Sequence, residues 1–290
     1  MIGYNRLGDN GRLGNQMFQY AALRGIAAKH NYDWIVPEPE TYRTANYGLF
    51  DCFKMTGAQG HFGTVPHRFP TVNETTFAFD QEQFENFPDY SNVDGYRQTE
   101  KYFKHIEHEI QKDFAFRPEI MKPCRQFMKQ FSGGRVVFLH IRRGDNVGRP
   151  DFYPFPKPDH YQRILDKHFP NEAVLVVSDD PQWCHEQPFF DDDRFFISDT
   201  AEYYEHECME GDGTYKKSLV PYVDLCLMSL CTDAIIANSS LSWWGAWLQK
   251  NKDHKVIAPS PWFGDKLSFN DTSDLLPEGW TVEPFEETGN

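Results

Sequence analysis

The sequence predicts a soluble α/β protein whose C-terminal half is Rossmann-like. Between Arg135 and Pro259, short β-branched and apolar runs alternate with helical patterns, which is the order of a parallel sheet with right-handed crossovers. Each run is almost continuously apolar, as expected of strands covered on both faces. A chain of 290 residues can bury such a core and form one or two domains.

The alternation assigns the elements of this half in turn. The expected strands are RVVFLHI, AVLVVSD, FFIS, AIIAN and KVIAP. The expected helices lie near 159–168, after Asp180, near 216–230 and around 242–249. The residues after Pro261 are acidic and aromatic, and we expect them to pack across the surface.

The first 130 residues are less regular. GNQMFQYAALRGIAAKH predicts a helix, and DWIVP predicts a strand after it. The apolar stripe of this helix consists of Phe18, Ala21, Ala22, Gly25 and Ile26. From Glu38 to Asp94 no period is sustained, so we expect loops and short helices over a smaller α/β half.

The charge balance restricts the partners. The formal net charge is −14, from 29 basic and 43 acidic residues. This argues against nucleic acid, whose binding normally depends on clustered cations that release counterions. The sequence shows no run of about 18 apolar residues and no signal peptide, so we expect no integral membrane segment and a cytoplasmic location. Six scattered cysteines without a CxxC pair are expected to be free buried thiols.

FLHIRRGD, residues 138–145, places Arg142 and Arg143 directly after a predicted strand. Ligands of open parallel sheets bind beyond the carboxyl ends of the strands, so His140 to Asp145 is expected at the rim of a site. The rigid fork of arginine matches phosphate oxygens, and a diphosphate carries about the charge that two forks neutralise. The alternative is a surface turn closed by Arg–Asp ion pairs, and the octapeptide alone does not decide.

ANSSLSWWGAWL, residues 237–248, brings Asn238, Ser239, Ser240 and Ser242 to the start of a tryptophan-rich helix. Hydroxyl and backbone N–H groups at a helix start can bind an anion. The alternative is a plain N-cap followed by core tryptophans. Because capping explains one serine but not three, an anion site is favoured.

NGRLGNQMFQYA, residues 10–21, places Gly11 and Gly14 around Arg12, with Asn15 opening a helix. The glycines permit a tight turn and the close approach of a ligand. The Walker ending GK[ST] and the G-x-G-x-x-G spacing are both absent. Taken alone, this segment is explained better by a plain loop-to-helix cap.

VVSDD ends a predicted strand with Asp179 and Asp180, which could accept hydrogen bonds from a base or a sugar. Capping of the following helix explains either carboxylate about as well. The sequence has neither an HExxH motif nor a G-x-S-x-G elbow, so hydrolases built on a metal or a serine are disfavoured.

Six segments, in order and spread over most of the chain, resemble the α-1,2-fucosyltransferase family. They are GRLGNQMFQYA, GYRQTEKYF, HIRRGD, VSDDPQWC, DLCLMSLCTDAIIANSSLSWWGAWL and IAPSPWF. The combination of HxRRxD with NSSxSWWGAW is highly specific. Two features depart from the family: the opening MIGYNRLGDN is interrupted, which predicts a short or displaced first strand, and Leu241 stands where the family often has Phe.

The resemblance implies a GT-B-like fold with two Rossmann-like parallel-sheet halves facing a cleft. Residues 1–130 would meet the acceptor, residues 131–260 would hold GDP-fucose, and residues 261–290 would form a surface tail. The implied reaction transfers L-fucose from GDP-fucose to a hydroxyl of an acceptor glycan, galactose O2 for an α-1,2 linkage. It proceeds with inversion and without a metal or another cofactor. The alternatives are another sugar-nucleotide donor, or a catalytically silent carbohydrate-binding protein.

The resemblance also assigns roles to residues of the C-terminal half. Arg142 and Arg143 would clamp the phosphates, with Arg142 stabilising the departing charge. The donor-binding residue His140 would orient nearby groups or the sugar nucleotide. Asp145 would be the base, or only a brace for the two arginines. The remaining donor-binding residues of this half would be Asp179 for the guanosine, Asn238, and the phosphate cap Ser239, Ser240 and Ser242.

In the N-terminal half, the GRxGNQ turn is similar to one in protein O-fucosyltransferases. There, an arginine and an asparagine of the turn reach the fucosyl diphosphate. This likeness points to Arg12 and Asn15 as catalytic residues, with Gly11 and Gly14 close to the donor.

Overall fold

A computed structural model describes residues 1–39, 47–131, 133–199, 205–210, 213–218, 220–251 and 253–285. The side chains of Asp145, Val220 and residues 205–218 lie outside that description. Strands β1 to β12 are, in order, Ile2–Gly3, Trp34–Ile35, Thr71–Val72, Ser91–Val93, Val136–Ile141, Ala173–Ser178, Phe195–Ile197, Glu205–Glu210, Gly213–Ser218, Asp233–Ile235, Val256–Ser260 and Thr281–Pro284. Helices α1 to α9 are, in order, Leu13–His30, Leu49–Cys52, Gln81–Glu85, Glu107–Asp113, Pro118–Met128, Pro158–His168, Pro181–His185, Val220–Leu230 and Ser240–Trp247.

The chain divides into two compact units. The first consists of Met1–Pro118, Glu207–Lys217 and Asn270–Pro277. The second consists of Glu119–His206, Ser218–Phe269 and the chain from Glu278. The functional division expected from the sequence, with boundaries at 130 and 260, stays a prediction.

The second unit is built on a six-stranded sheet in the order β12-β11-β10-β5-β6-β7. Each neighbouring pair is parallel, so all the carboxyl ends lie at one edge. All six residues of β5 are buried, because helices cover both faces of a parallel sheet. The core around β5 consists of Val137, Leu139, Ile141, Tyr161, Ile164, Leu165, Phe169, Val174, Val176, Cys184, Phe190, Ile235 and Ile257.

The strand order contains a switch point between β5 and β10. From β5 the chain builds outward through β6 and β7, and it then returns to the other side of β5 with β10, β11 and β12. Loops that leave the carboxyl ends of two such neighbours diverge and open a crevice, where open α/β sheets bind their ligands. In this unit the loops begin at Arg142 and Ile236.

The predicted strands and helices of this half are present, with two differences. The helix expected near 216–230 begins at Val220, because residues 213–218 pair with β8 in a two-stranded sheet. Pro221 stands in the first turn of α8, where its missing N–H is not needed. The second difference is β12, an edge strand on β11 that the sequence pattern did not predict.

The first unit contains a smaller parallel sheet in the order β2-β1-β4-β3. Its first strand, Ile2–Gly3, is short, as expected from the interrupted opening sequence. Helix α1 is buried along most of its length. Gly25 allows a close approach within this packing, because a Cβ there would lie 1.9 Å from the carbonyl oxygen of Tyr102.

The cysteines with described side chains are buried free thiols, as expected: Cys52, Cys124, Cys184, Cys226 and Cys231. Within the described ranges, no helix combines the length and apolar character needed to cross a membrane.

Candidate functional site

Arg142 and Arg143 leave the carboxyl end of β5 and pair with two carboxylates that follow β6. The Arg142 guanidinium contacts the Asp179 carboxylate, which also accepts a 2.8 Å hydrogen bond from the backbone N–H of Arg143. Nε of Arg143 donates to Asp180 at 3.2 Å. We name these four residues the arginine–aspartate quartet. Strands β5 and β6 are neighbours, so the sheet brings the quartet together.

The Arg143 guanidinium is held by contacts with aromatic rings as well as by its hydrogen bond. Its guanidinium carbon lies 4.0 Å from the ring centroid of Trp183 and 5.9 Å from that of Phe155. The residue is only 9% exposed. A cation over an aromatic face is stabilised by the ring quadrupole, so Arg143 is fixed in one orientation.

Asp180 and Gly144 make this arrangement possible. Asp180 is the N-cap of α7 and accepts from the N–H of Trp183 at 3.2 Å, while Pro181 occupies the first helical position. At Gly144, a Cβ would lie 2.4 Å from the Asp179 carboxylate. Glycine therefore leaves the space in which Asp179 reaches both arginines.

The alternative of an Arg–Asp ion-paired turn is partly realised, but with partners from another strand. The described carboxylates are Asp179 and Asp180, which the sequence suggested as acceptors for a base or a sugar or as helix caps. The side chain of Asp145, predicted to be the base or the brace, lies outside the described residues.

His140 is the penultimate residue of β5 and is buried, with 3% of its surface exposed. Burial, together with the nearby charge of Arg142, lowers its pKa to about 3. The imidazole is therefore neutral at physiological pH and adds no positive charge. Among the described residues, its Nδ1 has no hydrogen-bond partner.

Asn238 follows β10, on the other side of the switch point. Its Nδ2 donates to the carbonyl oxygens of Pro154 and Trp262, the latter at 3.1 Å. Its Oδ1 is buried and has no partner in the described part of the chain. Burial of an unpaired polar atom costs free energy, and a ligand or a water molecule commonly supplies the missing hydrogen bond.

The serines at the start of α9 differ in accessibility. Oγ of Ser239 caps the helix by accepting from the N–H of Leu241 at 3.3 Å. Ser240 is half-buried in the first turn. Ser242 is fully buried, and its hydroxyl lies 3.3 Å from the Ala237 carbonyl oxygen and 3.2 Å from that of Ser239. Ser242 thus closes the turn from inside, which leaves Ser239 and Ser240 as candidate phosphate contacts.

A cavity of about 270 Å³ opens beside the two arginines. It lies at the start of α6 and combines cationic, acidic and aromatic side chains. Its lining consists of Ile141, Arg142, Arg143, Phe155, Pro156, Lys157, Pro158, Asp159, Tyr161 and Trp183.

The first unit carries a separate group of candidate residues around the start of α1. Gly11 has φ +87°, and Arg12 is the exposed N-cap residue. Asn15 stands in the first turn and is partly exposed, whereas Gly14 is buried. Gln98 Nε2 donates to Oδ1 of Asn15 at 2.9 Å.

Two buried glutamines that no sequence pattern distinguished hold this turn. Gln16 Nε2 donates to the carbonyl oxygen of Gly11 at 3.2 Å, and Gln19 Nε2 donates to that of Asn10 at 2.7 Å. Both glutamines are fully buried on α1. The sequence signal for them was that two amide side chains stand among the apolar residues of a helix otherwise predicted to be buried. Trp183 and Gln98 also lie in segments quoted above, but no sequence pattern distinguished them.

In the described ranges, no group of three or more His, Cys, Asp or Glu side chains is arranged to hold a metal ion.

Comparison with known proteins places these residues in a family context. The model of the family described as glycosyl transferase family 11 matches residues 1–283. An alpha-1,2-colitosyltransferase of Escherichia coli is 30% identical over 93% of this chain and 95% of its own length. A galactoside alpha-(1,2)-fucosyltransferase 2 of Pongo pygmaeus is 26% identical over 82% of this chain and 67% of its own length.

Solved structures of low sequence identity share the fold. The fucosyltransferase NodZ from Bradyrhizobium aligns with a TM-score of 0.53 at 11% identity, over 84% of this chain and 91% of its own. Arabidopsis thaliana FUT1 aligns with a TM-score of 0.53 at 10% identity, over 97% of this chain and 75% of its own. These matches confirm the predicted GT-B-like α/β class.

Proposed function

This chain belongs to glycosyl transferase family 11, and from that premise we propose that it transfers L-fucose from GDP-fucose to a hydroxyl of an acceptor glycan. Galactose O2 is the proposed acceptor atom, since the galactoside relative is an alpha-(1,2)-fucosyltransferase. A solved structure of NodZ, an alpha-1,6-fucosyltransferase, was soaked with GDP-fucose, and it shares the fold. A cytoplasmic location is part of the proposal.

One observation carries the proposal. At the switch point of the second unit, two buried polar atoms lack partners in the described residues: His140 Nδ1 on β5 and Asn238 Oδ1 after β10. Arg142 follows His140 by two residues and meets Asp179. Unpaired buried atoms at a sheet edge that also carries a guanidinium favour an anionic ligand with hydrogen-bond donors and acceptors. A nucleoside diphosphate sugar has these groups.

The proposed reaction is a single displacement with inversion. The bond between the anomeric carbon and the β-phosphate oxygen breaks, and its electron pair leaves with GDP. The acceptor oxygen bonds to the opposite face of that carbon and gives up its proton. Arg142 stabilises the departing diphosphate, which is the part of the reaction where preorganised charge contributes most.

The other candidate residues have supporting roles in the proposal. Arg143 is enclosed by Trp183 and Asp180, so it orients the end of β5 as well as contributing charge. Ser239 and Ser240 contribute hydroxyl groups at the start of α9. Arg12 and Asn15 act on the sugar diphosphate. The proton acceptor is either Asp145 or the leaving phosphate. Transfer without a metal is part of the proposal, and no step needs one.

Replacement of Arg142 tests this function. We expect R142A to lower kcat about a hundred- to thousandfold, because a well-placed donor to developing negative charge is lost. GDP release from GDP-fucose is measured with galactose-terminated acceptors, with and without EDTA. R125A, at an exposed position on α5, is the control and should keep the wild-type rate. The function is refuted if wild-type protein releases no GDP with any acceptor and GDP-fucose does not raise its melting temperature.

A second candidate differs only in the sugar. The relative that is 30% identical is named a colitosyltransferase, so the family includes a donor sugar other than fucose. The arginines recognise a diphosphate whatever sugar it carries. A panel of nucleotide sugars that includes activated fucose and activated colitose separates the two candidates by kcat/KM.

A further inference from the structure

One hydrogen bond joins the start of α1 to the loop that follows β4. Gln98 Nε2 donates to Oδ1 of Asn15 at 2.9 Å, across 83 residues of sequence. Gln98 is 8% exposed, whereas Asn15 is partly exposed. The donor side of the bond is therefore buried, and the acceptor belongs to a residue that solvent can reach.

The backbone before Gln98 is anchored by a carboxylate. Glu74 accepts hydrogen bonds from the N–H of Tyr96 at 2.9 Å and from the N–H of Arg97 at 2.7 Å. At Gly95, with φ +117°, a Cβ would lie 2.4 Å from Cβ of Glu74, so glycine lets the two segments meet. The hydroxyl of Tyr4 also donates to the carbonyl oxygen of Gly95.

Arg97 fixes the same loop from its side chain. Its guanidinium is fully buried and donates to the carbonyl oxygen of Val72 at 3.2 Å and to the hydroxyl of Tyr102 at 3.3 Å. Its φ is +54°, a left-handed conformation that costs free energy in a residue other than glycine. The surrounding contacts must offset that cost, and the result is a rigid support for Gln98.

The bond from Gln98 also orients the Asn15 amide. A primary amide has one acceptor end and one donor end. With Oδ1 accepting from Gln98, Nδ2 is directed toward Gly11, where a Cβ would lie 2.3 Å from it. Gly11 belongs to the turn that carries Arg12. The donor end of Asn15 therefore lies on the side of this turn.

We propose that Gln98 is a positioning residue that turns the Asn15 amide so that its N–H donors face the sugar diphosphate. This inference rests on the proposed function, which assigns Asn15 to the transfer reaction. A donor end stabilises the charge that develops on the leaving group, whereas an acceptor end would repel it. Partners that orient a reacting group are typically worth about 10- to 100-fold in activity or affinity.

Two substitutions of Gln98 separate orientation from simple bonding. In Q98E the new carboxylate can only accept, so Asn15 keeps a hydrogen bond by donating Nδ2 to it and turns Oδ1 toward the ligand. In Q98M the donor is lost with little change of volume, and nothing forces the amide to turn. We expect kcat to fall about 10- to 100-fold in Q98E and less in Q98M, with KM for the donor changing less than kcat.

A merely structural role predicts the reverse order, because Q98E retains a bond that Q98M loses. A wild type that transfers sugar, combined with Q98E faster than Q98M, overturns the inference and leaves the proposed function intact. A wild type that transfers no sugar overturns both. Melting temperatures report folding, and Q59E, at an exposed glutamine of the same unit, is the control.

The Asn15 variant completes the test. If Gln98 acts through Asn15, N15A/Q98E should be no slower than N15A alone. If Q98E fails to fold, the double variant N15A/Q98M takes its place. The inference is supported if the kcat losses of N15A and Q98M are not additive in the double variant, and it is overturned if they are additive.

Discussion

At the residue scale, the charges at the carboxyl edge of the second sheet are matched in pairs. Arg142 meets Asp179, and Arg143 meets Asp180 and the face of Trp183. His140 adds no charge, because burial and the Arg142 guanidinium lower its pKa to about 3. An anion bound as proposed would therefore meet two oriented guanidiniums rather than an excess of positive charge.

The buried His140 makes stability depend on pH. Its pKa is lowered in the folded protein. Between about pH 6.5 and about pH 3, the imidazole is therefore protonated in the unfolded chain and neutral in the folded protein. Stability therefore falls as pH drops through this window, and the contribution at pH 5 is about 2 kcal/mol. Between pH 7.5 and pH 5, the unfolding free energy of H140Q should therefore fall by about 2 kcal/mol less than that of wild type.

Urea unfolding at the two pH values measures this difference. H108Q, which removes an exposed histidine on α4, is the control. Equal losses in wild type and H140Q would contradict a neutral buried imidazole.

At the element scale, β12 is attached to α6 as well as to β11. Glu283 accepts from Lys167 Nζ at 2.6 Å and from His168 Nε2 at 2.7 Å. The ring of Phe285 lies 5.6 Å from that of His160. Helix α6, which precedes β6, therefore also holds β12, the edge strand at the other end of the sheet.

Replacement of Glu283 should weaken this attachment. The hydrogen bonds from Lys167 and then His168 lower the pKa of Glu283, so their stabilisation is present above the usual carboxyl pKa and is lost as pH falls through the lowered value. We expect E283Q to cost about 0.5–1 kcal/mol at pH 7. The difference from wild type should shrink toward pH 3.

Calorimetric melting temperatures at pH 7, 5 and 3 check this prediction. E278Q, at an exposed glutamate nearby, is the control. An E283Q deficit that is the same at all three pH values would show that the charge is not its source.

At the scale of the whole molecule, the second unit was predictable because its strands are long enough to show a pattern. Strands β5 and β6 each have six residues, nearly all of them buried. In the first unit, β3 and β4 have two and three residues, too few for periodicity to appear. Sequence placed the arginines correctly at a strand end, but the carboxylates that meet them come from the neighbouring strand.

The contacts that hold the candidate residues within each unit join positions far apart in the sequence. Gln98 reaches Asn15 across 83 residues, and Arg143 reaches Asp180 across 37. A pattern within one segment cannot reveal such partners. The family resemblance supplied Asn15 and Arg142, whereas Gln98 required the fold.

Binding of GDP should slow hydrogen exchange at the carboxyl edge of the sheet in the second unit. We expect GDP to slow hydrogen exchange in residues 140–144, 178–183 and 236–241, because loops at a ligand site lose their local opening when occupied. Mass spectrometry of peptides with and without GDP measures this, with UDP as the control. Protection confined to the amino ends of the strands would contradict the switch-point site.

The paired charges of the quartet bear on how the site chooses among anions. Two uncompensated arginines would attract inorganic phosphate or sulfate as readily as a nucleotide, and their capture rate would fall steeply with ionic strength. With each guanidinium already neutralised by an aspartate, a small anion gains little by entering. A ligand must then contribute contacts beyond its charge to be retained, so the ion pairs of the quartet themselves favour a larger ligand over a simple anion.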